Sequence, residues 1–242
     1  RDYFEIPESG DEVFGREAGA KKTNEEGKED NGAAGTLVFT EGKLLLFPVR
    51  SVSGSYALAT SKHALSRYAR DCQPGLPLPE ETIEAGTCHA SKQVSFKNQD
   101  GENGVVLEEY AFQVKKDFPK EWEEHLSGII DDPVLKEAKE RFVLLSDEDF
   151  AHFALNACQV IQHNHIDPET GTVKNGMLFN EETVPSESLF YLSLLDMSRN
   201  EQQKEAVKQR CEHFKEPRLM QFGGKSTTGL GFCTASLGKE EA

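Results

Sequence analysis

Residues 43–71 read KLLLFPVRSVSGSYALATSKHALSRYARD, and this stretch decides the fold class. Lys43–Val49 and Gly54–Thr60 read as strands of apolar and β-branched residues. Ser61 is placed to cap a short helix over Lys62–Asp71, with Leu65, Tyr68 and Ala69 on one face. Just upstream, Thr36–Phe39 reads as another strand, joined to the one at Lys43 by a turn at Thr40–Gly42. Residues 16–35 hold only Gly, Ala, polar and charged residues, cannot bury a face, and are expected to form a mobile loop.

The same alternation continues downstream. Residues 73–104 form an irregular excursion with a hairpin near Asp100-Gly101. Val105–Val114 alternates as one strand, with Val106, Tyr110, Phe112 and Val114 on one side. Pro119 opens a helix whose apolar face carries Trp122, Leu126, Ile129 and Ile130. Arg141–Leu145 is a strand. Ser146 then starts a helix with Phe150, Phe153, Ala154 and Ala157 at helical spacing, and Asp147, Glu148 and Asp149 suit its first turn better than a metal site. Val160–Ile166 leads into the turn Asp167–Gly171, and the chain returns through Met177–Glu182 to Pro185. A strand at Leu189–Leu195, a helix at Arg199–Phe214 and strands at Leu219–Phe222 and Gly231–Leu237 complete the pattern. Interleaved strands and helices with long insertions, and no internal repeat, predict an α+β fold, a sheet carrying two to four helices.

Composition narrows the function classes. The chain has 242 residues, 42 acidic against 27 basic, and a net charge of -15, a length that fits one large or two small domains. Mean hydropathy is -0.57. The longest apolar run, Leu44–Val49, is six residues and contains a proline, far below the roughly 20 needed to span a bilayer. A membrane-spanning chain and a secretory signal at the visible N-terminus are excluded. Fifteen Phe exclude a wholly disordered acidic chain. The five cysteines (Cys72, Cys88, Cys158, Cys211, Cys233) form no Cys-x-x-Cys pair, so they read as free thiols in the cytoplasm rather than as zinc ligands or a disulfide framework. The first residue is Arg1 rather than Met, so an N-terminal piece is expected to be removed or missing.

The segment 222–232, FGGKSTTGLGF, is the most informative for function. Gly224-Lys225-Ser226 resembles the end of a phosphate-binding P-loop, but that motif requires glycine at 219, where Leu219 stands, and it opens a helix, whereas a strand follows here. Four glycines in nine residues instead let successive backbone N–H groups form an anion-binding nest, with Lys225 and the Ser/Thr hydroxyls as further donors. A plain tight loop between two strands is the alternative. The charge is also segregated. Gly42–Arg70 contains Lys43, Arg50, Lys62, Arg67, Arg70 and His63 and no acid, and Pro217–Lys239 contains three basic residues and no acid. A polyanion responds to local potential within a Debye length, so the overall negative charge does not exclude a nucleic acid.

Three stretches taken together are specific: 34–61 with its LLLFPVRSVSGSYALATS run, 166–190 beginning IDPETGTVKNGMLFNEETVP, and 221–232, QFGGKSTTGLGF. In this order they resemble the RAMP superfamily of CRISPR proteins, and within it the backbone subunits of type III-B (Cmr) effector complexes. Leu107-Glu108-Glu109 and the helix start at Ser146–Phe150 agree, so the resemblance covers nearly the whole chain. It implies a single RAMP-type domain over 1–242, a ferredoxin-like (RRM-like) palm with a thumb β-hairpin at 158–185, a glycine-loop strand pair at 219–237 and long insertions, lacking its first strand and helix. It implies copies stacked as a filament along a guide RNA (crRNA) that pairs with target RNA, together with other Cmr subunits and no membrane. Base pairing then supplies sequence specificity. Arg50, Ser51, Gly223, Gly224, Lys225, Ser226, Thr227, Thr228, Gly229 and Gly231 would face guide phosphates, and the turn 167–176 would be the thumb tip.

The resemblance further implies target-RNA cleavage at regular intervals with a divalent metal, Mg or Mn, relying on an aspartate whose place falls upstream of Arg1; Asp2 is too close to the matching helix end to be it. Glu181 fits an assisting acid, while Thr183 stands where a tyrosine is expected. Glu181 and Glu182 also read as solubilising charges on an edge strand. His163 and His165 share a strand face near Asp167, but two histidines without a fixed third ligand favour RNA contact or plain exposure over a metal. Two other readings stay open: a nucleoside-triphosphate-dependent enzyme using Gly224-Lys225-Ser226, and an acidic adaptor with no ligand.

Overall fold

The computed structural model describes residues 11–16, 33–79, 81–173, 176–212 and 214–238. In chain order these form α1 (Asp11–Phe14), β1 (Gly15–Arg16), β2 (Ala33–Ala34), β3 (Leu37–Phe39), β4 (Lys43–Ser51), β5 (Ser55–Ser61) and α2 (Lys62–Cys72). Next come β6 (Thr87–Ala90), β7 (Phe96–Lys97), β8 (Asn103–Leu107), β9 (Tyr110–Asp117), α3 (Lys120–Ser127), α4 (Pro133–Glu137), β10 (Phe142–Leu145) and α5 (Asp147–Asn156). The rest are β11 (Gln159–His163), β12 (Phe179–Thr183), β13 (Leu189–Tyr191), β14 (Leu194–Asp196), α6 (Glu201–Glu212), β15 (Arg218–Gln221) and β16 (Phe232–Ala235).

The chain divides into two compact units: Lys43–Gly128 with Val134–Tyr191, and Arg1–Gly42 with Ile129–Pro133 and Leu192–Ala242. The first holds an eight-stranded sheet in the order β13-β4-β5-β10-β6-β9-β8-β7. Its β5–β10 and β6–β9 pairs are parallel and the others antiparallel. The sheet also bonds back on itself where Ser51 of β4 pairs with Leu107 of β8. Six strands therefore curl around one core. Phe47, Val49, Ala57, Ala59, Cys88, Ala90, Val105, Leu107, Phe112, Val143 and Leu145 meet inside it, with Phe150 and Phe153 of α5. Alternate residues of the same strands point the other way. On that side Phe118 lies 5.3 Å from Phe142, and Tyr68 of α2 meets Trp122 of α3 edge-on at 6.2 Å. Central strands covered on both faces explain the unbroken apolar runs at 44–47 and 142–145.

Strand β4 accommodates Pro48 because its outer edge is shared. Leu44 and Leu46 pair with β13 and Ser51 pairs with β8, and Pro48 falls between the two, where a missing N–H leaves no ladder bond unmade.

Helix starts follow the sequence. Ser61 Oγ accepts from Ala64 N at 3.3 Å, and Ser146 Oγ accepts from Asp149 N at 3.0 Å. Asp147 accepts from the His63 amide at 3.0 Å and Asp149 from the Gly86 amide at 3.1 Å. These acids satisfy backbone donors of neighbouring segments.

Five expectations are corrected. The strands at 37–39 and 43–51 do not form a hairpin; β3 pairs with the distant β14, and β4 pairs with the next strand β5 and with β8 and β13, which take up both of its edges. The run 105–114 is two strands, reversed at Glu108, which takes φ of 50°. Leu189–Leu195 is likewise split into β13 and β14. Helix α3 ends at Ser127, capped by Gly128, so Ile129 and Ile130 lie beyond it. Of the expected mobile loop 16–35, Arg16, Ala33 and Ala34 join Gly15 in a two-stranded ladder, and 17–32 lie outside the described residues.

In the second unit, β3 and β14 pair, α6 supplies Val207, and Val13, Leu37 and Val207 form a small core joined by Leu194, Ala206 and Cys211.

Asp71 ties three elements together. Its carboxylate accepts from Lys43 Nζ at 2.6 Å, Arg70 Nε at 2.8 Å and the Tyr191 hydroxyl at 3.1 Å. Arg70 and Lys43 hold its carboxyl far below the usual carboxylate range, while burial, helped by Asp71, pushes the Tyr191 phenol up to about 12. A depressed carboxyl stabilises the fold above its unfolded value of about 3.9, and the contribution is lost as pH falls below that. The melting-temperature gap between the native chain and Asp71→Asn is therefore expected to be full near pH 6 and to shrink below about pH 4. A gap independent of pH would remove the ionic account. Separately, Trp122 is fully buried and its indole donates to the Pro77 carbonyl at 2.7 Å. Trp122→Ala is expected to cost about 3–5 kcal/mol in denaturant unfolding.

Candidate functional site

The glycine loop closes a two-stranded hairpin in the smaller unit. Strands β15 and β16 run in register from Arg218↔Ala235 to Gln221↔Phe232, and Phe222 N donates to Gly231 O at 2.8 Å. A Cβ on Gly231 (φ +79°) would lie 2.0 Å from the Phe222 carbonyl oxygen, so only glycine fits. The Gln221 side-chain amide then gathers three carbonyls, donating to Phe222 at 3.1 Å, Gly223 at 3.0 Å and Leu230 at 3.3 Å. Lys225 O accepts from Thr228 N (3.1 Å), the Thr228 hydroxyl (2.9 Å) and Leu230 N (3.2 Å). The carbonyls of Phe222, Gly223, Lys225, Ser226, Leu230 and Gly231 are thus engaged within the loop. Among the described residues, no acceptor engages the amides of Gly223, Gly224, Ser226 or Thr227. A loop with most of its acceptors turned inward and four amide donors open suits an anion in hydrogen-bonding capacity.

Ser226–Thr228 makes a single 3-10 turn and the chain then enters β16. A nucleoside-triphosphate P-loop opens an α-helix whose dipole and N-terminal amides hold the phosphates, and this loop has no such helix.

Arg50 and Ser51 belong to the other unit, at the end of β4. Arg50 is 85% exposed, yet it is held by Glu108, Nε at 3.0 Å from Oε1 and an NH2 group at 2.6 Å from Oε2. The Glu108 amide also donates to the Arg50 carbonyl at 2.9 Å. Ser51 Oγ is buried with no hydrogen-bond partner among the described residues. The stretch 42–70 is free of acid in sequence only. Lys43 and Arg70 meet Asp71, one residue past its end, and Arg50 meets Glu108. Arg67 donates to the Leu44 carbonyl at 3.1 Å.

The hairpin β11–β12 pairs Gln159↔Thr183 through His163↔Phe179. Glu181, only 19% exposed, has Oε2 3.1 Å from His163 Nε2, and the His163 ring stacks on Phe179 at 5.1 Å. The Thr183 hydroxyl donates to the Gln159 carbonyl at 3.4 Å. Beyond β11, Ile166 bridges Val173, and Asp167 Oδ1 accepts from Glu169 N at 2.9 Å and Thr170 N at 3.3 Å. Among the described residues no group of three or more His, Cys, Asp or Glu could hold a metal ion. The described residues therefore do not by themselves offer the ligand set a divalent metal would need.

The partners of Arg50 and Glu181 were not anticipated from the residues. His163 lies two positions off the Glu181 register across a strand pair and Glu108 lies 58 residues from Arg50; only the pairing of β11 with β12 and of β4 with β8 brings them together.

The sequence matches the family profile of the RAMP superfamily over residues 10–234. It is 30% identical over 213 residues to the CRISPR system Cmr endoribonuclease Cmr4 of Pyrococcus furiosus, an alignment covering 84% of this chain and 70% of that one. The fold is similar to the crystal structure of oligomeric Cmr4 from Pyrococcus furiosus, with a TM-score of 0.64, 25% identity and coverage of 84% of this chain and 73% of the other. It is also similar to a subunit in the cryo-EM structure of the type III-B Cmr-beta complex bound to cognate target RNA, with a TM-score of 0.59, 17% identity and coverage of 88% and 72%.

The loop geometry yields a stability prediction. Gly231→Ala forces a left-handed residue and a clash, and is expected to cost at least about 1–2 kcal/mol, read as lost amide-exchange protection in β15 and β16. Gly224→Ala meets open space without a positive φ and is expected to leave protection unchanged.

Proposed function

The chain belongs to the RAMP superfamily, and from that premise we propose that it is a guide-RNA-binding backbone subunit of a type III-B CRISPR ribonucleoprotein. On this reading 1–242 is one RAMP-type domain with an RRM-like palm, and the hairpin β11–β12 within 158–185 is its thumb. Copies stack along the crRNA beside other Cmr subunits in the cytoplasm, and target RNA pairs with the guide. The observation that carries the reading is the glycine loop, whose open amides on Gly223, Gly224, Ser226 and Thr227 suit a phosphodiester, with Lys225, Thr228, Gly229 and Gly231 completing it. Arg50 and Ser51 belong to the same proposal. A phosphate that recruits Arg50 takes it from Glu108, an exchange of one anion for another at an exposed cation.

The relative's name carries an endoribonuclease activity, and we propose the same class for the complete assembly, cutting the target at regular intervals. Glu181 is the acid this chain would contribute, held beside His163. Thr183 bonds back to the Gln159 carbonyl, so its hydroxyl is already spent where the family has a tyrosine.

Fluorescence anisotropy with a guide-length RNA tests the proposal. Binding is expected to fall steeply with salt. Lys225→Ala should weaken it and flatten the salt slope by about one phosphate contact. Glu108→Gln should tighten it about two- to fivefold by relaxing the hold on Arg50. No binding by the folded chain at low salt would overturn the RNA reading, and an unchanged Lys225→Ala would remove the loop from it.

A further inference from the structure

Near the β7 margin of the large sheet lies a cleft of about 240 Å³, lined by Lys92, Ser95, Phe96, Lys97, Asn103 and Asp117 among others. Its charged groups are unspent. Among the described residues, Lys92, Lys97 and Asp117 make no ion pair or side-chain hydrogen bond. Neighbouring lysines do: Lys115 donates to Gln113 at 2.6 Å, and Lys116 pairs with Glu81. Two ammonium groups against one carboxylate make the cleft locally cationic in a chain of net charge -15. The ring of Phe96 lies against Gly104, where even a Cβ would come within 3.6 Å of it. That is ordinary van der Waals contact, so the ring packs over β8 while it lines the cleft.

The lining defines its ligand. Two ammoniums call for an anion. An aromatic ring at the wall calls for a flat ring to stack on. A carboxylate, which only accepts, calls for paired N–H donors. A purine ribonucleotide carries all three, and guanine in particular sets a ring N–H beside its amino group. Adenine presents a ring acceptor at that place, which a carboxylate repels. The geometry points to a second nucleotide site here, one that takes a guanosine 5′-phosphate unit with phosphate on Lys92 and Lys97, base on Phe96 and its donors on Asp117. The unit is either a free nucleotide or one residue of an RNA strand. The inference does not rest on the glycine loop, which belongs to the other unit.

Calorimetric titration of the full chain with GMP, AMP, inorganic phosphate and a short guanosine oligoribonucleotide tests it. GMP is expected to saturate, with AMP about tenfold weaker. The Lys92→Ala/Lys97→Ala double variant should weaken GMP about tenfold or more, and Asp117→Asn should erase the preference over AMP while binding persists. These residues are on the surface, and unchanged melting of the variants checks that they fold. Lys225→Ala should leave GMP binding intact, which separates this site from the RNA reading above. An oligonucleotide that binds more tightly than GMP in the Lys225→Ala chain, and loses that advantage when Lys92→Ala/Lys97→Ala is added, assigns the site to a strand, and equal binding assigns it to the free nucleotide. No saturation by GMP or oligonucleotide, phosphate binding as tightly as GMP, or an unaffected double variant would each overturn the site.

Discussion

Strand β4 has two edges and three partners, and the larger unit follows from how they share it. β5 takes one edge from Phe47 to Ser51, while β13 and β8 divide the other. An edge can bond one strand at a time, so β13 must end before β8 arrives. Pro48 sits in the interval and makes the handover possible without an orphaned donor. Because β8 reaches β4, the sheet curls until six strands share one interior, and α5 seals it with Phe150 and Phe153. The small residues Ala57, Ala59, Cys88 and Ala90 lie opposite the bulky ones, the alternation a tightly curled sheet needs.

The same handover sets the electrostatics. Lys43 and Arg50 stand near the two ends of β4, and each meets an acid delivered by a different neighbouring element. Asp71 comes from α2 and is joined by Tyr191 of β13; Glu108 comes from the β8–β9 turn. A charge count along the chain treats these cations as available, whereas the folded chain has committed them. Their value to a polyanion is then the difference between two ionic contacts, not the whole of one, and exposed ion pairs are worth little either way. Open backbone amides carry no such competitor.

Legibility followed locality. The α2 and α5 starts could be read from Ser61 and Ser146 because capping is a three-residue event. The glycine hairpin was readable because positive φ at Gly223, Gly229 and Gly231 is a property of single residues. What could not be read depends on distant pairing. The break at Glu108 takes a left-handed non-glycine residue, which alternation along 105–114 conceals. The division of Leu189–Leu195 reflects two different partners, β4 and β3, rather than any local breaker. At the candidate site the loop was legible, while the partners of Arg50 and Glu181 were not, since both come through strand register.

The loop also limits what one copy can do. A P-loop adds a helix dipole and a full turn of amides to its glycines, enough to hold a nucleotide on its own. Here there are one 3-10 turn and four open amides. Sequence-independent phosphate contacts of this kind give affinities in the range of about 10⁻⁴–10⁻⁶ M at physiological salt. On the proposed reading, tight binding has to come from repetition, with each added copy meeting the strand at a raised effective concentration set by its neighbour. A loop that holds backbone without reading bases suits that role, because it works equally at every position along the guide.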